Sequence, residues 1–195
     1  MNFLAHIYLS KDHPKIMVGN FIGDFVKGKH FSEQFEAEIA KGIELHRAID
    51  EFTDRHPIVH QSKDRLRPKY RHYAGVIVDI FYDHFLSKYW RDYHVLPLTE
   101  FAANTYTTLK DYYSILPDGV KQMLPYMIKD NWLVNYGHLN GIGQALKGIS
   151  RRTRYDSKMN ESIRELEEFY EEFKTEFQSF FLDLKSHTEA FLKQN

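Results

Sequence analysis

The length, composition and charge of the chain set the first limits on its function. Its 195 residues are 43% hydrophobic and 15% aromatic, which is typical of a folded globular protein with a sizeable core. With a formal net charge of −1, any attraction to a charged partner must come from local patches. The absence of cysteine excludes a disulfide framework, a thiol nucleophile and a cysteine-ligated metal, so any metal must be held by oxygen or imidazole nitrogen.

Neither a secretion signal nor a membrane span is evident. The first residues, "MNFLAHIYLSKDHPK", lack a basic leader followed by an uninterrupted apolar run. No window approaches the roughly 18 consecutive apolar residues of a membrane span. We therefore expect a soluble, cytoplasmic protein that does not interact with a membrane.

Helical spacing of apolar residues dominates the chain and predicts an all-α fold. A first short helix is expected from Asn2 to Leu9, followed by a segment that Gly19, Gly23 and Gly28 break into short pieces. Further helices are predicted over about 36–54, 75–90 and 99–116, with two shorter helices within 120–149 and one long amphipathic helix over about 163–191. The polar stretch "SKDRLRPKYRHY" before the 75–90 helix is assigned no helix. No linker or repeat interrupts the pattern, so residues 1–195 are expected to form a single-domain helical bundle.

Three polar residues interrupt the very apolar segment "GVIVDIFYDHFL". Asp79 and Asp83 lie one helical turn apart on nearly one line, and His84 follows Asp83 directly. Moving a carboxylate out of water costs several kcal/mol unless a cation, a metal or good hydrogen bonds compensate. We therefore expect the carboxylates of this helix to have a cation, a metal or hydrogen-bond donors as partners.

Complementary groups occur in other segments. In "IELHRAIDEFTD" the residues His46, Asp50 and Asp54 are spaced by four and line one helix face. Asp24 follows a glycine in "NFIGDFVKG", and His6 lies among apolar neighbours in "NFLAHIYL". Together these segments supply only oxygen and imidazole nitrogen, a ligand set that suits manganese, magnesium or iron and also admits zinc.

Each of these residues taken alone also has a purely structural explanation. A lone buried histidine such as His6 is usually a satisfied core residue, Asp50 could pair with Arg47 or Arg55, and Asp54 could end its helix. The combination on separate apolar segments favours a metal site. The Glu-x-x-His, His-Glu-x-x-His and His-Asp signatures are all absent, and Asp83-His84 has the last in reverse order.

Several segments resemble one known family. "MNFLAH", "GNFIGDFVKG", "GIELHRAIDEFTD", "DIFYDHFL" and "GISRR" occur in order and are similar to the acyl carrier protein phosphodiesterase family, over most of the chain. The resemblance implies an HD-phosphohydrolase-like helical fold with a divalent metal site, usually manganese. It implies hydrolysis of the phosphodiester that joins 4′-phosphopantetheine to a serine of holo acyl carrier protein. At the position of Tyr8, some relatives have a histidine, so Tyr8 is not expected to be a ligand.

The resemblance also suggests roles for individual residues. The expected metal ligands are Asp24, His46, Asp79, Asp83 and His84, and the expected catalytic residues, which orient or deprotonate water, are Asp50 and His6. Arg47, Arg151 and Arg152 are expected to bind the substrate phosphate, because the planar guanidinium suits phosphate.

Acyl carrier protein is acidic and helical, so a basic docking surface is expected. The candidates are Lys63, Arg65, Arg67, Lys69 and Arg71, with the cluster in "SRRTR" as a second one; both could equally be ordinary solvated loops. No stacking aromatic motif accompanies these clusters, which argues against a nucleic acid partner. Two other functions stay open from the sequence: an HD-type phosphohydrolase acting on a nucleotide or another small phosphodiester, and a non-catalytic metal-binding helical protein. The oligomeric state is undetermined.

Overall fold

The expected all-α class is confirmed. The computed structural model describes residues 1–194, and no strand occurs in this range. The α-helices are α1 (Phe3–Leu9), α2 (Pro14–Ile22), α3 (Ala37–Arg55), α4 (Pro57–Tyr70), α5 (Ala74–Lys88), α6 (Leu98–Asp111), α7 (Asp118–Lys129), α8 (Trp132–Asn135), α9 (Leu139–Ser150), α10 (Ile163–Glu168) and α11 (Tyr170–Gln194). Short 3₁₀ turns connect several of them, and Gly23–Phe25 directly after α2 is the one that matters for the site.

The helix predictions are correct in outline and wrong in five places. α2 runs straight through Gly19, the basic stretch after residue 61 is the body of α4, and the predicted 99–116 helix ends at Asp111. The region 120–149 holds parts of three helices instead of two. The C-terminal helix is interrupted at Phe169, between α10 and α11, without a proline or glycine to mark the break.

Two glycines bring α2 and α3 into backbone contact. A Cβ atom on Gly19 would lie 2.0 Å from the carbonyl oxygen of Ile39, and one on Gly42 would lie 2.2 Å from that of Ile16. Only residues without a side chain permit this approach. The crossing places Asn20 of α2 directly against the turn of α3 that carries His46.

Helix α5 lies at the centre of the fold and packs against α1, α4, α9 and α11. Its residues from Ile80 to Ser87 are all buried, as are Phe173, Phe177, Phe180 and Phe181 of α11. The aromatic stripe of the C-terminal segment therefore packs into the core, as its helical spacing predicts. None of the helices described is both long enough and apolar enough to cross a membrane.

Candidate active site

Two histidines and one carboxylate converge where α1 and α3 meet. The rings of His6 and His46 stack with their centroids 4.0 Å apart. Their Nε2 atoms lie 3.3 and 3.1 Å from the two carboxylate oxygens of Asp50. One ligand atom from each of the three residues lies within 4.8 Å of the others. This group is called the histidine–aspartate cluster below.

Asn20 accepts hydrogen bonds from the Nδ1 atoms of both imidazoles. Its side-chain oxygen accepts a hydrogen bond from His6 Nδ1 at 2.8 Å, and its main-chain oxygen accepts one from His46 Nδ1 at 2.7 Å. Its amide nitrogen donates to the His6 carbonyl and to Ser10 Oγ. Because each Nδ1 then carries a proton, the Nε2 atom of each ring faces Asp50, and it has a free lone pair only when that ring is neutral.

Asp24 extends the cluster on the side of the Gly23–Phe25 turn. Its Oδ1 lies 3.2 Å from His46 Nε2, and this hydrogen bond lowers the pKa of Asp24, whose side chain is exposed. Burial alone would lower the pKa of His46, but Asp24 and Asp50 reverse this and raise it to about 9. Burial and the neighbouring His46 lower the pKa of His6, so the two rings differ in charge in the absence of a metal.

Asp79 of α5 lies on the other side of Asp50. The amine of Met1 lies 3.2 Å from Asp79 Oδ1 and 3.5 Å from Asp50 Oδ1. Burial disfavours the charged amine, but Asp79 and Asp50 outweigh this and raise its pKa to about 10. Burial likewise disfavours the Asp50 carboxylate, but His46 and His6 hold its pKa far below the usual range. The site therefore concentrates negative charge, which the Met1 amine and the His46 ring balance.

The cluster opens into a cavity of about 530 Å³. One wall carries the carboxylates of Asp24, Asp50, Asp54 and Asp79, which come from α3, α5 and the Gly23–Phe25 turn. Residues of α7, α8 and α9 also line the cavity with mainly apolar surface, together with Asp130 at the end of α7 and Arg152 just after α9. The cavity thus combines a charged end with room for an organic group.

The residues of the cluster fit a divalent cation. His6 Nε2 is buried and has no hydrogen-bond partner within the described chain, since its contact with Asp50 lacks hydrogen-bond geometry. Two imidazoles fixed by hydrogen bonds at Nδ1, with a carboxylate facing both Nε2 atoms, form the arrangement in which proteins hold transition metals.

The structure does not bring Asp83 and His84 into this cluster. Asp83 is fully buried, and its two oxygens accept hydrogen bonds from the backbone N–H groups of Leu4 (2.8 Å) and Ala5 (3.1 Å) at the start of α1. Burial raises the pKa of Asp83 to about 7, against the opposing effect of these two bonds.

His84 faces a different hollow. Its Nδ1 donates to the Tyr136 carbonyl, leaving Nε2 to accept a hydrogen bond from the Tyr170 hydroxyl, and burial lowers its pKa to about 4. With both ring nitrogens engaged, His84 is a satisfied core histidine here. We therefore leave Asp83 and His84 out of the ligand set proposed below.

The predicted phosphate-binding arginines lie in different places. Arg47 donates to the carbonyl oxygens of Val26 and Gly28 and stacks over Phe31, so it anchors that loop and does not line the cavity. Arg152 lines the cavity, whereas the exposed neighbour Arg151 does not. Of the three, only Arg152 is positioned to face a substrate bound there.

Four of the five basic residues predicted to dock a partner are neutralised by carboxylates. Lys63 is nearly buried and pairs with Asp54 at 2.7 Å, and Arg65 forms a bidentate pair with Glu176 at 2.8 Å. The other pairs are Arg67 with Asp64, and Lys69 with Glu161 and Glu165. Arg71 has no ion pair within residues 1–194. This segment is therefore not the free positive surface that its sequence suggests.

Fold and cavity together define the class of the protein: an all-α protein with a histidine–carboxylate cluster beside an open cavity. The family model described as acyl carrier protein phosphodiesterase matches residues 1–184. The chain belongs to this family, which confirms the resemblance seen in its motifs and makes the protein a member of a hydrolase family.

Proteins named acyl carrier protein phosphodiesterase are similar to this chain over nearly their whole length. The acyl carrier protein phosphodiesterase of Photorhabdus laumondii subsp. laumondii is 32% identical over 93% of this chain and 91% of its own. Those of Escherichia coli O6:H1 and Enterobacter sp. strain 638 are 34% and 32% identical over 93% of this chain and 94% of theirs. No solved structure matches the chain significantly.

Proposed function

We propose that the protein is a metal-dependent phosphodiesterase that removes 4′-phosphopantetheine from holo acyl carrier protein. The family membership supports the substrate class. The observation that carries the metal requirement is the buried histidine–aspartate cluster, in which the Nε2 atoms of both rings face Asp50 and His6 Nε2 has no hydrogen-bond partner within the described residues.

The proposed reaction is an ordinary hydrolysis. Water adds to phosphorus, the bond between phosphorus and the serine oxygen of the carrier protein breaks, and a proton from the water ends on that serine oxygen. The products are apo carrier protein and 4′-phosphopantetheine, so no oxidant, reductant or co-substrate is needed.

His6, His46 and Asp50 are the residues proposed to hold the cation. Their donor set suits manganese, magnesium or iron(II). When bound, such a cation neutralises charge on phosphoryl oxygens and makes water more acidic.

The remaining polar groups of the cavity have distinct tasks. Asp24 and Asp79 lie beside Asp50 and line the cavity, so either carboxylate can accept the proton of the attacking water. Arg152 also lines the cavity and is placed to bind a phosphoryl oxygen. A comparison of Asp24→Asn with Asp79→Asn identifies the general base. Substitution of the residue that acts as the base should lower kcat and leave KM close to that of wild type.

A basic surface next to the cavity is proposed to dock the acidic carrier protein. Lys147, Arg151 and Arg154 are exposed on and after α9, and none has an ion pair among the described residues. The α9 surface, as we call these three residues, continues directly into Arg152 at the cavity.

The test is the mass of holo acyl carrier protein before and after incubation with the enzyme. With manganese we expect conversion to the apo mass and the appearance of 4′-phosphopantetheine; after treatment with a chelator we expect no conversion, and re-addition of manganese should restore it. His46→Ala is expected to lose activity even with excess manganese.

Three outcomes would argue against the proposal. Full turnover in the presence of chelator would exclude the metal requirement. Carrier protein that stays unchanged with every metal would exclude it as the substrate. Cleavage of a small phosphodiester without any action on carrier protein would favour a general phosphohydrolase instead.

A further inference from the structure

The wall of the cavity that α7, α8 and α9 form suits a flexible organic chain. Met123 of α7, Trp132 of α8, and Ala145 and Ile149 of α9 line it with apolar surface. Two amide side chains, Asn135 and Gln144, also line the cavity. Gln144 has no hydrogen bond within residues 1–194, so its amide is free to pair with a ligand.

A glycine on this wall has no structural explanation. Gly148 lies in the last turn of α9 and lines the cavity, and a Cβ atom added to it would meet nothing within 4 Å. Glycine in a helix is less favourable than alanine by up to about 1 kcal/mol. By contrast, a Cβ on Gly141 of the same helix would collide with the Asn135 carbonyl oxygen at 1.9 Å, which explains that glycine by packing.

We propose that the wall formed by α7, α8 and α9 binds the pantetheine arm, and that Gly148 keeps the space for it. This inference rests on the proposed function, because it takes the phosphodiester to lie at the histidine–aspartate cluster. The arm then has to extend from the charged end of the cavity along the apolar wall.

The chemistry of the arm matches this wall. Pantetheine carries a dimethyl-substituted carbon, which suits contact with Met123, Trp132 and Ile149. Its two amide groups each need a hydrogen-bond partner when they leave water, and Gln144 is one available amide. A small phosphodiester without such an arm would leave this wall empty.

The experiment compares two glycines of α9. Gly148→Leu adds a bulky side chain where Gly148 lines the cavity, and Gly148→Ala adds a single methyl group. Gly143→Ala is the matched control, because Gly143 lies in the same helix, faces the second hollow beside His84, and has ordinary van der Waals space towards Ile163. Binding of pantetheine itself is measured by calorimetry, and kcat and KM are measured with holo carrier protein. Manganese binding and thermal unfolding report on the rest of the molecule.

We expect pantetheine to bind the wild type and the Gly143→Ala variant alike. Gly148→Leu should bind it at least about tenfold more weakly and lose kcat/KM with holo carrier protein by a similar factor, and Gly148→Ala should fall between. Manganese affinity should be equal in all four proteins, and Gly148→Ala should unfold at the same or a higher temperature than wild type.

Two results would overturn the inference. One is equal pantetheine affinity in wild type and Gly148→Leu, and the other is an unchanged kcat/KM in Gly148→Leu. If Gly148→Leu fails to fold, Gly148→Ala decides the question by the same two measurements. If the wild type binds pantetheine but leaves holo carrier protein intact, the proposed function fails while the binding wall stands.

Discussion

Asn20 orients both histidines of the cluster, one through its side chain and the other through its main chain. It is fully buried, its side chain holds His6, and its main-chain carbonyl holds His46. Groups that orient metal-binding histidines are typically worth 10- to 100-fold in metal affinity. Asn20 is therefore a positioning residue, which acts on the metal through the rings that it holds.

We predict that Asn20→Ala weakens manganese binding by about 10- to 100-fold, because it frees the His6 ring while the His46 bond to the backbone persists. Asn20→Asp keeps an acceptor for His6 Nδ1 and should recover part of this affinity. Calorimetric titration with manganese measures both. Ser10→Ala is the control: it removes a partner of the Asn20 amide without touching either ring, so it should affect stability and leave metal affinity near wild type. Equal metal affinity in Asn20→Ala and wild type would contradict the positioning role.

Individual site residues can be predicted from the sequence where a charged or titratable group lies in an apolar segment. They are missed where the residue type is common in such a segment. His6, Asp24, His46, Asp50 and Asp79 are charged or titratable residues in apolar segments, and the structure does bring them together. Asn20 was not predicted, although its position in the apolar run "IMVGNFI" is the signal that could have identified it. An uncharged amide in such a run is common, so the pattern alone does not single it out.

At the scale of helices, Asp83 ties α5 to the first turn of α1. Its carboxylate accepts from the N–H groups of Leu4 and Ala5, which have no partner within α1 itself. This is an N-terminal cap supplied by another helix, and it also places negative charge at the positive end of the helix dipole. Because α1 carries His6, the contact connects core stability to the geometry of the site.

We predict that Asp83→Ala destabilises the protein by about 1–3 kcal/mol, since two buried N–H groups lose their acceptor. Asp83→Asn should be intermediate, because one amide oxygen can still accept. Chemical denaturation measures the change in unfolding free energy. The exposed Asp111 at the end of α6 provides the control, and Asp111→Ala should stay within about 0.5 kcal/mol of wild type. A fully stable Asp83→Ala variant would show that α1 does not need this cap.

The apolar periodicity of the sequence is not sufficient to predict α4 or the roles of Asp83 and His84. The buried face of α4 includes Ser62 and Lys63, whose side chains are satisfied by Glu176 and Asp54, so polar residues conceal the apolar repeat. In α5 the spacing correctly indicates which residues share a face. It does not indicate which neighbouring helix that face meets, and this decides whether a carboxylate caps a helix or faces a cavity.

At the scale of the whole molecule, free positive charge is unevenly distributed. In the cluster from Lys63 to Lys69 every basic side chain has a carboxylate partner, whereas the α9 surface carries three exposed cations without one. A net charge of −1 leaves little overall field, so such a patch determines the local attraction of an acidic partner. Ion pairing therefore distinguishes two basic segments that look equivalent in the sequence.

We predict that the α9 surface steers the encounter with holo acyl carrier protein. The double variant Arg151→Glu/Arg154→Glu should raise KM for carrier protein about tenfold or more at low salt and leave kcat nearly unchanged, because neither side chain lines the cavity. For wild type, KM should rise between about 0.02 M and 0.5 M salt as screening shortens the range of attraction, while KM of the variant should change little. Arg67→Glu reverses a charge in the neutralised cluster and should behave like wild type. A KM of wild type that is independent of salt, or an Arg67→Glu variant as impaired as the double variant, would place the docking surface elsewhere and leave the metal site unaffected.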